Sequence, residues 1–138
     1  MVRLAREAIT LDIVERALAV EAIDRIVVVT NSSSLAESLH GQPVYIELDN
    51  SQGAFHFGER LQGVIDRYGM EKVFYLGGGS GALFSAEDMG HIVDRFLSAD
   101  EFVIANNFYS TDFAAFSPAQ AIESIELPSV DNDLAWRL

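Results

Sequence analysis

The chain has 138 residues, 49% of them hydrophobic and 22% charged. That is the balance of a single folded domain with a packed core, and it excludes extended disorder. Nine basic against 21 acidic side chains give a net charge of −12. This argues against nucleic acid as a partner, because phosphate neutralisation needs clustered Lys and Arg, and equally against an anionic membrane surface. There is no cysteine, so disulfides, thiolate metal sites and Cys nucleophiles are excluded.

No apolar run approaches the ~18 residues of a membrane helix, and the N-terminal MVRLAREAI lacks the apolar block of a secretory signal. A cytoplasmic protein is the expectation. Lys72 is the single lysine, so an anionic ligand has to be held by Arg, by backbone N–H groups or by a metal.

Helix and short apolar strand alternate along the chain. Thr10 offers an N-cap and Asp12 a first-turn acid, and Leu11, Val14 and Leu18 recur at helical spacing. This predicts a helix over about residues 11–22. Ile26 to Val29 reads as a buried strand. Residues 31–34 suit a turn and an N-cap, opening a short helix that includes Leu35 and Leu39 and stops at Gly41. Pro43 to Leu48 is a second strand, followed by a polar loop over 49–53. Phe57, Leu61, Val64, Ile65 and Tyr68 form the apolar face of a helix closed by Gly69.

Lys72 to Leu76 is a third strand running into Gly77-Gly78-Gly79-Ser80-Gly81. Ser85 is an N-cap with Glu87 and Asp88 in the first turn, and Met89, Ile92, Val93, Phe96 and Leu97 make that helix's buried face. Glu101 to Ala105 is a fourth strand, and Phe108 to Phe116 reads as an extended segment. Ser117-Pro118 opens another helix, with Pro at its first position. Asp131 to Leu138 starts a last one. Strands separated by helices imply right-handed crossovers. The expected fold class is therefore α/β: one Rossmann-like domain over residues 1–138, three layers deep, with helices on both faces of a mainly parallel sheet.

In such a sheet ligands bind outside the carboxyl ends of the strands. Four glycines in the five positions 77–81 follow one strand and precede a well-capped helix, so bare backbone can approach a phosphate closely. Gly77, Gly78, Gly79, Ser80 and Gly81 are candidate ligand contacts; the alternative is a tight turn that needs positive φ. After the next strand, Asn106, Asn107 and Thr111 can read a base or sugar edge, and Asp112 can bind Mg²⁺ through oxygen. A loop of backbone-capping Asn and Asp would look the same. Thr30 to Ser34 reads chiefly as a cap. His40, His56 and His91 are too dispersed to form a metal constellation. His56, in the long loop, is the best placed of them for a site, although a packed or solvated role suits each better.

The order of elements resembles the molybdenum-cofactor guanylyltransferase-like nucleotidyltransferases. TLDIVERALAVEAIDRIVVVTN is similar to their second helix–strand unit. YLGGGSGALFSAEDM is similar to their strand and Gly-Asp-x-Pro-Leu-Leu turn with the helix after it. FVIANNFYSTDFAAFSP is similar to the next strand and its Gly-Thr-Asn segment, and SVDNDLAWRL to a later helix start. The resemblance implies a nucleotidyltransferase-like fold and Mg²⁺-dependent nucleotidyl transfer to a phosphorylated small molecule. The family's opening Gly- and Arg-rich loop has no counterpart, since the first glycine is Gly41, and Ser80 stands where the family's metal-binding Asp aligns. Asp112, and more weakly Asp49, are the remaining carboxylate candidates. A chain shortened at both ends relative to the family is expected, with the exposed edge covered in a homo-oligomer. Two alternatives stay open: a catalytically inactive ligand-binding module, and a structural or assembly subunit.

Overall fold

A computed structural model describes residues 2–49 and 53–138. The polar loop expected over 49–53 therefore falls partly on residues 50–52, outside the described residues. The elements in chain order are α1 (Val2–Leu18), β1 (Val27–Thr30), α2 (Ser33–Ser38), β2 (Tyr45–Leu48), α3 (Phe57–Tyr68), β3 (Val73–Leu76), α4 (Ala86–Leu97), β4 (Phe102–Ala105) and β5 (Phe113–Ser117). Two 3₁₀ turns, Ala119–Ser124 and Asp131–Asp133, lead into α5 (Leu134–Arg137).

The expected three-layer, mainly parallel Rossmann-like sheet is not what forms. β1 and β2 make a two-stranded parallel sheet, with Val28 opposite Ile46. A separate three-stranded sheet has the order β3-β5-β4, and both of its pairings are antiparallel. The reason lies between β4 and β5. Only the seven residues 106–112 connect them, and a parallel crossover takes a dozen or more. The chain must reverse, and β5 then inserts between β3 and β4. β3 and β4 still run the same way, so their carboxyl ends share one edge of this sheet.

Side-chain alternation on β5 divides the core. Ala114 and Phe116 are fully buried against Phe57 and Ile65 of α3, Ile122 and Leu134. Phe113 turns to the other face, where its ring meets Phe74 and Phe84 edge-on. α4 packs on that face too, and Phe96 stacks edge-on with Phe102. Each fully buried Phe or Leu contributes about 1.5–3 kcal/mol. A second cluster joins Val14 of α1 to Val28, Leu35 and Leu39 under the small sheet.

Local signals set the helix ends. Ser85 and Asp88 form a capping box: the Ser85 hydroxyl accepts from the Asp88 N–H at 3.0 Å, and Asp88 accepts from the Ser85 N–H at 2.9 Å. Gly69 closes α3 at φ 56°, in the left-handed region that favours glycine. The carbonyls at the end of α4 have an unusual cap. Lys72 donates to Phe96 O and Ala99 O, each at 2.8 Å, and its ammonium lies 5.7 Å from the Phe96 ring centre. Helix α1 differs from expectation. Thr10 does not cap it but lies within it, its hydroxyl donating to Arg6 O at 2.9 Å. The helix consequently begins well before residue 11 and stops at Leu18, short of the expected residue 22.

Candidate functional site

The ladder between β3 and β5 pairs Leu76 with Phe113. The next residues out, Gly77 and Asp112, are therefore neighbours, and the Gly77 N–H donates to Asp112 O at 2.8 Å. That bond places the glycine loop beside the 106–112 loop at the shared end of the sheet. A Cβ built on Gly77 would lie 3.1 Å from Ser80 Oγ, 3.2 Å from Asp112 O and 3.3 Å from the Tyr75 hydroxyl. Only a bare backbone passes there without displacing something.

The other glycines divide. Gly79 (φ 92°) and Gly81 (φ 74°) have the positive φ of a tight turn. Both also lie under α1: a Cβ on Gly79 would meet Arg6 Cγ at 3.0 Å, and one on Gly81 would meet Ile13 Cδ1 at 3.1 Å. Arg16 fastens the same helix to the loop's exit, donating to Ala82 O at 3.0 Å and Phe84 O at 2.8 Å. Gly78 alone in this run is exposed, and among the described residues no atom lies within 4 Å of its Cβ position.

In the second loop the amides serve the backbone first. Asn106 Oδ1 accepts from the N–H groups of Asp112 at 2.9 Å and Phe113 at 3.1 Å. Its Nδ2 donates to Asp112 Oδ2 at 3.0 Å. Asn107 Oδ1 accepts from the Tyr109 N–H at 2.9 Å, an Asx turn. Thr111 is fully buried; its hydroxyl accepts from the Ala135 N–H at 3.1 Å, and its own N–H donates to Asn132 O at 3.1 Å. Thr111 thus anchors the C-terminal segment. Asn106, Asn107 and Asp112 remain exposed.

Tyr75 lies beside Gly77 and ties β3 to the C-terminal segment. Its hydroxyl donates to Asp131 Oδ2 at 2.9 Å, and its ring packs edge-on against Phe57. Burial, then the charge of Asp131 and its hydrogen bond, then the charge of Asp112, hold the phenol far above its ordinary value of 10.0. Tyr75 is therefore a neutral donor here.

The remaining candidates lie elsewhere or serve as caps. Asp49 faces Arg60 at 3.9 Å, beside Glu47 at the end of β2. Ser32 caps α2, and its hydroxyl donates to Glu7 Oε1 at 2.6 Å. That bond comes first among the causes holding the Glu7 carboxyl below its ordinary value. His56 is the N-cap of α3 through Nδ1, which accepts from the Glu59 N–H at 3.3 Å. Among the described residues, no group of three or more His, Asp or Glu side chains is arranged to hold a metal ion.

Arg6 is the residue the sequence reading missed. It lies across Gly79, and among the described residues it takes part in no salt bridge. Placing the helix start at residue 11 removed it from view; the helical spacing of Arg6, Ile13 and Arg16 on one side of α1 was the available signal. No helix among the described residues is long and apolar enough to cross a membrane. No family model, curated protein or solved structure matches the chain.

Proposed function

We propose that the chain binds a nucleotide or phosphorylated small molecule where the Gly77–Gly81 loop meets the 106–112 loop. The observation that carries this reading is Arg6. In a chain of net charge −12, the methylene stem of an arginine that forms no salt bridge among the described residues lies against the glycine loop at Gly79, one residue from the open backbone of Gly78. Arginine is suited to phosphate because its planar fork presents paired N–H donors. Asn106 and Asn107 are exposed on the neighbouring loop. Nucleotidyl transfer is the reaction the resemblance implies for such a ligand, and cytoplasmic location fits that substrate class. Mg²⁺, which neutralises phosphate charge when bound, would take Asp112 as its protein ligand, because the Asn106 amide oxygen is already committed to two backbone N–H groups.

Calorimetry across a panel of nucleotides and sugar phosphates, with and without Mg²⁺, tests the reading. Binding is expected to weaken in Arg6→Gln and in Gly78→Val, and Asp112→Asn is expected to remove any dependence on Mg²⁺. Absence of binding across the panel would overturn it.

One specific observation favours a second reading, a structural subunit without a ligand. Arg6 and Ile13 occupy the space over Gly79 and Gly81, so those two glycines already have a packing role. Under that reading Gly78→Val leaves every measured property unchanged.

A further inference from the structure

Among the described residues, strand β4 is bonded on one side only, to β5. Natural edge strands are usually blunted by shortness, a charge, a proline or a bulge. Phe102-Val103-Ile104-Ala105 is short, at four residues, but it carries no charge, proline or bulge, and all four residues are partly exposed. Beside this edge, between β4 and α4, runs a groove of about 540 Å³ lined by His91, Ile92, Asp94, Arg95 and Ile104.

We propose that this edge is a self-association surface, in which β4 pairs antiparallel with β4 of a second copy and joins two three-stranded sheets into one of six strands. Charge argues for a second copy over another partner. At −12 the molecule as a whole repels itself, yet the lining of this groove carries an acid, a base and an imidazole side by side. A two-fold axis brings this strip against its own copy, so the acid and base that it carries, Asp94 and Arg95, can pair with Arg95 and Asp94 of the second copy.

The backbone adds a second constraint. On an antiparallel edge the free N–H and C=O groups belong to alternate residues. A symmetric pairing must match residues of the same parity, so either Val103 or Ile104 faces its own copy. The first register sets Glu101 opposite Ala105 and the second sets it opposite Asn107. In neither do the acids at the strand's entrance meet like charges, which would destabilise the pair. This inference is independent of any ligand at the glycine loop.

Sedimentation of the full chain over a concentration series up to ~100 µM tests the proposal, because association obeys mass action. A reversible dimer is expected. Ile104→Lys should abolish it, and Arg95→Asp, an exposed change on α4, should weaken it roughly tenfold or more. The exchanged pair Asp94→Arg with Arg95→Asp restores the complementarity and should restore the dimer. Circular dichroism checks that each variant is folded; if Ile104→Lys unfolds, the Arg95→Asp result and its rescue decide. A monomer at every concentration, or a dimer unaffected by Arg95→Asp, would overturn the proposal.

Discussion

The Tyr75 hydroxyl reaches Asp131 across 56 positions of sequence and joins β3 to the C-terminal segment with a 2.9 Å hydrogen bond. The phenol must be protonated to donate, and its folded pKa is raised. Its contribution is therefore complete below the ordinary value of 10.0 and is lost as pH rises above it. Ultraviolet titration should show one of the four tyrosines ionising only as the fold collapses in alkali. Tyr75→Phe should remove that step and cost about 1–2 kcal/mol at neutral pH in urea unfolding. A Tyr75 that titrates freely in the folded protein would contradict this.

Glu47 holds the end of β2 to α3. It accepts a hydrogen bond from Arg67, and Arg60 Nη2 lies 3.1 Å from its Oε2 as an ion pair. Burial pushes its carboxyl up. The hydrogen bonds from Arg67 and Tyr68 and the charges of Arg67 and Arg60 outweigh that and hold it below the ordinary 4.5. The stabilisation is therefore present above 4.5 and disappears as pH falls through the lowered value. Glu47→Gln should cost about 1.5–3 kcal/mol near neutrality. The gap from wild type, followed by urea midpoints, should close on acidification.

Gly58 is tightly enclosed in α3. Its N–H donates to Pro128 O at 2.8 Å, and a Cβ there would stand 2.9 Å from both Leu127 Cβ and Pro128 Cδ. Gly58→Ala ought to lift the C-terminal segment from the helix and destabilise by about 1–3 kcal/mol. Alanine is ordinarily the better helix former, so a stabilised variant would show that this packing is absent.

Neighbouring glycines in one loop should respond differently. Gly81→Ala combines positive φ with contacts to Ile13, Phe84 and Leu76 at 3.1–3.2 Å, and thermal unfolding should report a loss of about 1–3 kcal/mol. Gly78→Ala meets nothing within 4 Å and should leave the melting temperature unchanged. Equal effects would mean that α1 does not rest on the loop.

Features decided by adjacent residues were legible in the sequence. Ser85 with Asp88, Gly69 after Tyr68 and Ser32 before α2 are each a few residues of local chemistry, and all three ends stand where expected. The strand positions were legible for the same reason. Sheet pairing was not, because the pattern of Phe113 to Ser117 does not reveal which neighbour it will join. Connection length carried the decisive information: seven residues cannot make a crossover. The candidate site was legible only as two loops. The side chains that give it shape, Arg6 and Tyr75 with Asp131, act over separations that local patterns do not encode. Thr10 misled because a hydroxyl suited to capping can also bond back within a helix.

The position of Lys72 bears on the protein's covalent chemistry. Acylating reagents, cellular acetyl donors and the ubiquitin machinery all act on lysine amines, and this chain has a single lysine. That amine closes the end of α4 by donating to Phe96 O and Ala99 O. Derivatising it would leave those carbonyls without their cap. The single lysine side chain is thus one on which the end of α4 depends, and surface lysines for labelling or immobilisation would have to be introduced elsewhere.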